Sequence, residues 1–266
     1  MKKFLSIIMC VVLLASCFML GACDEEEVAE DIKEILDETD ENGNLKTLGG
    51  KTPKELYDEA SAILSKATNF TQEAVQDISM VINGESMAIK QNVLSKVDGD
   101  NSYIKSSGVE GSEMEGFYVD GVVYAKMNGV KNKASLSKAE YYEKFLGSTE
   151  EESKILDIPE SWFKDIVIKK DGDEYYIHFV VSGEEYSKLI GKAAAGIDVS
   201  LATDVNYKVY LTKEGKLSKV IVEVEMEVEG AEVKLYSESK FYDVGTTAPI
   251  TAPADADSYT DVTGSI

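Results

Sequence analysis

From Val220 to Glu229 the chain alternates strictly. Val220, Val222, Val224, Met226 and Val228 fall on one side, and Glu223, Glu225, Glu227 and Glu229 on the other. A period of two sends successive side chains to opposite faces of a strand, so one face here is buried and the other wet. Antiparallel sheets allow this, whereas parallel sheets are covered on both faces. The pattern returns at Val205, Tyr207, Val209 and Leu211, and at Ile177, Phe179 and Val181. In the first half it runs through Ala74, Ile78, Met80 and Ile82, then Met87, Ile89 and Val93. Turn signals separate the runs: Asn83-Gly84, Asp98-Gly99, Asp120-Gly121, Asn128-Gly129, Asp171-Gly172, Glu214-Gly215 and Glu229-Gly230. Asn-Gly and Asp-Gly favour the positive backbone angles of tight hairpins. The spacing predicts roughly nine to eleven strands joined mainly by hairpins. So many strands do not stay flat; the sheet twists and curls.

Helices interrupt the strands at few places. Four segments begin with a capping box, in which a Ser or Thr and a Glu three residues later satisfy each other's free backbone donors. They start at Thr52, Ser137, Ser148 and Ser182. The first has proline at the favoured first helical position and continues through Leu56, Ala60, Ile63, Leu64 and Ala67. The second leads to Tyr141, Tyr142, Phe145 and Leu146, and the third to Ile155 and Leu156. The fourth carries Tyr186, Leu189, Ile190, Ala193, Ala194 and Ile197. Each has one apolar stripe, and the concave apolar face of a curled sheet is the place to bury it. The expected fold class is therefore α+β: a strongly curved antiparallel sheet with helices packed on its concave face. Two halves, 52–128 and 183–242, each read as a helix followed by a meander.

The chain opens Met1-Lys2-Lys3 and then runs uncharged from Phe4 to Cys23. A short basic start, an apolar stretch and small residues at its end make a secretory signal, here residues 1–22. Leu20-Gly21-Ala22-Cys23 resembles the lipobox of bacterial lipoproteins, which implies a diacylglyceryl group on Cys23 and cleavage just before it. Leu14-Ala15-Ser16-Cys17 matches as well. Cys23 is preferred because it stands where the apolar run meets Asp24-Glu25-Glu26-Glu27. An uncleaved membrane-spanning helix is the competing reading, since the stretch approaches the ~20 residues a span needs. The three cysteines are Cys10, Cys17 and Cys23. The domain beyond them has no disulfide, cysteine nucleophile or cysteine metal site, and its core alone must hold it together. Two acyl chains make a stable tether at ~0.8 kcal/mol per buried methylene. The location this implies is the outer face of the bacterial cytoplasmic membrane.

Net charge is −22, or −24 without residues 1–22, which carry Lys2, Lys3 and no acid. There is no arginine. Nucleic-acid binding is excluded by both facts, and anionic headgroups would be repelled. Contact with the bilayer then rests on the acyl anchor. Residues 24–41 hold eleven acids and one lysine, Lys33. With Gly43, Gly49 and Gly50 they make residues 23–50 an acidic tether. A docking helix or divalent-cation sink is the sharper alternative, on a thin stripe of Val28, Ile32, Ile35 and Leu36. Residues 246–266, rich in Thr, Ala, Asp and Pro, read as an extended closing segment or loose tail.

The folded part, residues 51–245, resembles the LolA/LppX-type lipoprotein carriers and poorly characterised Gram-positive lipoproteins thought to share their fold. The residues that carry this are Cys23, the Thr52–Ala67 helix with the Phe70–Ile82 strand, the hairpin Phe117 to Tyr124 and the closing Phe241-Tyr242-Asp243-Val244-Gly245. The resemblance implies an incomplete barrel plugged by helices, with a hydrophobic cavity that shelters acyl chains. LolA itself is soluble and engages its cargo with an arginine, so neither its cargo chemistry nor its shuttling carries over. The residues expected to line such a cavity are Met80, Met87, Ile89, Tyr207, Val209, Val222, Val224 and Met226.

Catalytic chemistry finds little support. The one histidine, His178, alternates with Ile177 and Phe179, so it faces away from the apolar side. A solvent-facing histidine is the simpler reading than a general base without partners. No nucleophile elbow or phosphate-binding loop is present, and neither a zinc ligand set nor another cofactor motif is found. The glutamates of 223–229 could bind calcium loosely, but a solvated face is simpler. Trp162-Phe163 after Pro159 reads as a core anchor or a cavity gate. The expected function is an anchored, non-enzymatic lipoprotein that binds or carries a lipid or glycolipid. The alternative is a structural lipoprotein, fully packed, that binds another envelope protein.

Overall fold

A computed structural model of the chain describes residues 39–82, 84–108, 112–141, 162–187, 199–201, 203–212, 217–228 and 230–265. The signal segment, Cys17, Cys23, most of the acidic tether and the stripes expected at 142–156 and 189–197 lie outside them. The described strands form a single sheet. In the first half are β1 (Asn69–Ile82), β2 (Glu85–Asp98), β3 (Asn101–Ser107), β4 (Glu113–Val119), β5 (Val122–Met127) and β6 (Val130–Ser135). In the second half are β7 (Phe163–Asp171), β8 (Glu174–Val181), β9 (Val199–Leu201), β10 (Val205–Leu211), β11 (Leu217–Val228) and β12 (Ala231–Tyr242), and the chain closes with β13 (Thr260–Asp261).

The spatial order is β13-β6-β5-β4-β3-β2-β1-β12-β11-β10-β8-β7, with β9 paired to β11 beside β10. Two antiparallel meanders are thus stitched together by β1 and β12, and the sheet is curved but unclosed. The count of thirteen exceeds the expected nine to eleven because β9 and β13 have three and two residues, too few to show a period of two. The hairpins follow from turn chemistry. Asp120-Gly121 has φ of 50° and 79°, and Asn128-Gly129 has 50° and 85°. These left-handed pairs suit two-residue turns that match strand twist.

Helix α1 (Pro53–Lys66) starts at the expected capping box. The Thr52 amide and hydroxyl both donate to Glu55 Oε2 at 2.8 Å, and the Glu55 amide donates to Thr52 Oγ1 at 3.3 Å. Its buried Leu56, Tyr57 and Ala60 pack on β7 and β8. The four-residue helix α2 (Lys138–Tyr141) starts at the Ser137–Glu140 box. It lays the Tyr141 ring on Tyr118 at 4.5 Å, over a small cluster of Val123, Ala134 and Leu136. Residues 183–187 are helical too. The main core spreads from α1 over β7–β12 to Ile78, Met80 and Ile89. Burying each large apolar side chain there contributes ~1.5–3 kcal/mol.

After β12 the chain straps the ends of the first meander. The Ile250 amide donates to Asp98 Oδ2 at 3.2 Å, and Asn101 Nδ2 to the Ile250 carbonyl at 3.4 Å. Tyr259 meets Tyr124 edge-on, and β13 lies parallel to β6, covering that edge.

Candidate functional site

Residues directly opposite on paired strands share a face and form rows across the sheet. On the inner face, the one bearing the core, the first row is Met87, Met80, Val233 and Met226. The second is Ile89, Ile78, Leu235 and Val224. The third is Gln91, Gln76, Ser237, Val222 and Tyr207, and the fourth Val93, Ala74, Ser239, Val220 and Val209. All eight sequence-predicted lining residues fall in these four rows. Met80, Ile89, Tyr207, Val209, Val222, Val224 and Met226 are buried in the main cluster. Met87, at the outer end of the first row, is 42 % exposed.

At the β7–β10 end the inner face is filled by rings. Tyr57 of α1 stands edge-on to Phe163 and Phe179 at 4.9 and 5.0 Å. Phe179 stacks on Tyr207 at 4.9 Å and 3°, and Tyr186 meets Tyr207 from the helical turn at 6.5 Å. Phe163 is therefore part of the core packing. At the other end α2 covers Tyr118, Val123 and Ala134 of this face, but not the fourth row. The fourth row continues from Val93 through Ser106 to Met114, Met127 and Val130. These last three are 37 %, 60 % and 62 % exposed.

The alternation concealed a further feature. Gln72, Gln76, Gln91 and Ser95 occupy inward positions of β1 and β2 at 0–6 % exposure. Gln72 lies opposite Ser95, and Gln76 opposite Gln91. Both polar atoms of Gln72, Oε1 of Gln76, Oε1 of Gln91 and Oγ of Ser95 have no hydrogen-bond partner among the described residues. Buried polar groups are normally paired, since leaving one unpaired costs ~1–3 kcal/mol. A reading by apolar alternation passes over these positions. The signal that finds them is a polar residue at an inward parity, as Gln76 is between Ala74 and Ile78.

The outer face is charged. Lys234 pairs with Glu225 at 2.6 Å, Lys90 with Asp77 at 3.5 Å and Lys208 with Glu223 at 3.6 Å. A groove of about 550 Å³ crosses β2, β1, β12 and β11 there, lined by exposed side chains including Asp77, Lys90, Glu225 and Lys234. His178 faces outward, opposite Lys208. Partial burial, then Lys169 and Lys208, hold its pKa below the usual imidazole value, against Asp165 and a hydrogen bond with Asn206. Burial and the hydrogen bond to Glu238 push the Tyr236 hydroxyl up to about 12. Among the described residues no group of three His, Cys, Asp or Glu is placed to hold a metal ion.

A family model matches residues 3–254. The chain belongs to the family of unknown function DUF7537. No curated protein sequence matches it. Among solved structures it is similar to the lipoprotein LppX of Mycobacterium tuberculosis, at 7 % identity and a TM-score of 0.36, over 74 % of this chain and 98 % of that one. It is similar to LprF of Mycobacterium bovis, at 8 % identity and 0.38, over 76 % and 95 %. A LolA-superfamily protein of Nitrosomonas europaea matches at 13 % identity and 0.27, over 75 % and 94 %.

Proposed function

We propose that this DUF7537 protein is a lipoprotein held at the outer face of the bacterial cytoplasmic membrane through Cys23, and that it binds or carries a lipid or glycolipid on the inner face of its sheet. One observation carries the ligand half of this reading. An apolar face that serves only as core ends where its cover ends, but here the fourth row runs on to the exposed Met114, Met127 and Val130. Exposed apolar surface continuous with an interior marks a binding surface. Met80, Met87, Ile89, Tyr207, Val209, Val222, Val224 and Met226 would meet the acyl chains. The chemistry is binding without catalysis, and nucleic acid is not a partner. The anchor reading is supported by Leu20-Gly21-Ala22-Cys23 at the junction with the acidic run.

Two experiments test these halves. Cells fed radiolabelled palmitate should label the full-length protein; Cys23→Ala should abolish the label and Cys17→Ala should leave it. The reverse would move the anchor to Cys17. Organic extraction of the full-length protein purified from membranes should release a lipid in stoichiometric amount, beyond the covalent anchor. Its absence would leave the second reading, a structural lipoprotein whose partner is another envelope protein. That reading has its own support, since seven of the eight lining residues are buried and Tyr207 is stacked within the core.

A further inference from the structure

We propose that Gln72, Gln76, Gln91 and Ser95 form an uncharged polar subsite on the inner face, which takes the hydrogen-bonding middle of a lipid (an ester, amide or hydroxyl group) while its apolar arms lie to either side. This rests on the ligand-binding reading above and specifies the ligand's chemistry.

The two polar pairs sit on adjacent strands, four residues apart along each, a distance of about 13 Å. The row between them is built from small side chains, Ser239, Ala74 and Ser106 beside Val93. Hydroxyls of Ser237 and Ser239 border the patch on β12. Apolar residues flank it at both ends. Phe70 and Phe241 cluster at one end, and Ile78, Met80, Ile89 and Leu235 belong to the main core at the other. The row between the polar pairs is the one that reaches solvent at Met114, Met127 and Val130, which gives an apolar arm its way in.

Charge narrows the ligand. The chain carries 49 acids and 27 lysines, yet among the described residues the inward positions of β1, β2 and β12 carry no charge except Glu85 at the exposed start of β2, far along the strand from the polar pairs. A buried carboxylate, phosphate or ammonium would find no counter-charge there. Amide and hydroxyl groups that both donate and accept suit an uncharged group with several oxygens. A pure hydrocarbon would leave them as unpaired as they are now.

The test uses membranes containing the full-length protein and three photoreactive probes of equal chain length: a diacylglycerol, a fatty acid and a hydrocarbon. After illumination, adducts are mapped on peptides covering residues 69–98 and 231–242. The diacylglycerol should label these peptides ~10-fold more than either other probe, the discrimination expected when buried polar groups gain or lack their partners. In the Gln72→Met/Gln76→Met/Gln91→Met variant its labelling should fall to the hydrocarbon level, while hydrocarbon labelling holds or rises. If that variant is not recovered folded, Gln91→Met alone should lower the diacylglycerol-to-hydrocarbon ratio by ~3-fold or more. Equal labelling by all three probes, preference for the fatty acid, or unchanged labelling in the variants would overturn the polar subsite and leave the carrier reading standing. No labelling of the inner face by any probe would overturn both.

Discussion

Gln72→Met should make the ligand-free protein more stable, an outcome rarely expected of a core substitution. The replaced side chain has nearly the same length and shape, so no cavity opens and no overpacking follows. What changes is the end of the side chain. In the native protein Oε1 and Nε2 of Gln72 are both buried without a partner among the described residues, in a residue that is 0 % exposed. Each such group carries a desolvation cost of ~1–3 kcal/mol, and part of it persists in any compact unfolded ensemble. A net gain of ~2 kcal/mol is the central expectation. For a domain of this size that raises Tm by ~4–8 °C. Gln76 and Gln91 each have one unpaired atom, Oε1, so Gln76→Met and Gln91→Met should each gain about half as much. The ordering is the discriminating result, because a general preference of strands for apolar side chains would raise all three equally. Urea and thermal unfolding of delipidated full-length protein, followed by circular dichroism, gives the numbers. A loss of stability in Gln72→Met would mean that its amide is satisfied, and the subsite argued from it would fall.

Further expectations follow from other parts of the molecule. Gly108 has φ of 134°, and a Cβ there would come within 2.0 Å of the Lys90 carbonyl oxygen and 2.9 Å of Gln91 Cα; Gly108→Ala should cost ~2 kcal/mol or more in urea unfolding and shift the β2–β3 amide signals. An unchanged midpoint would show that this backbone approach is not needed. Thr52→Ala removes the hydroxyl that accepts from the Glu55 amide and donates to Glu55 Oε2, leaving only the backbone half of the α1 capping box, and should cost ~1 kcal/mol, with faster amide exchange over the first turn. His178 has a folded pKa below its unfolded 6.5, so the unfolded chain binds the extra proton first. Its contribution to stability is complete above pH 6.5 and is lost as pH falls through the lower folded value. Being the only histidine, it should account for the decline in stability between pH 7 and the onset of carboxylate titration. His178→Gln should flatten that part of the curve, and an identical slope in the variant would refute the assignment.

How much of this was legible in the sequence depends on which rule each residue obeys. Val220 to Val228 obey a period of two, and β11 is the strand they imply. Asp120-Gly121 and Asn128-Gly129 have only one comfortable backbone geometry, and both hairpins turn on it. Thr52 and Glu55 satisfy each other locally, so α1 could be started from four residues. These features are short-range, and short-range pattern finds them. The stitching of β1 to β12 is different. Ala74 finds Ser239 across the whole domain, and nothing local in either strand specifies that partner. The polar pairs were hidden for a third reason. Apolar alternation averages over a face, and Gln72, Gln76, Gln91 and Ser95, with the smaller Ser106, Ser237 and Ser239 beside them, depart from it on strands whose other inward positions are mainly apolar. A chain folding for its own stability alone would place Leu or Val there, as it does at Val93 and Val222. Retaining amides where the fold gains nothing from them is intelligible if something else meets those amides, and a lipid with a neutral polar middle meets that requirement while sparing the charged outer face any role in recognition.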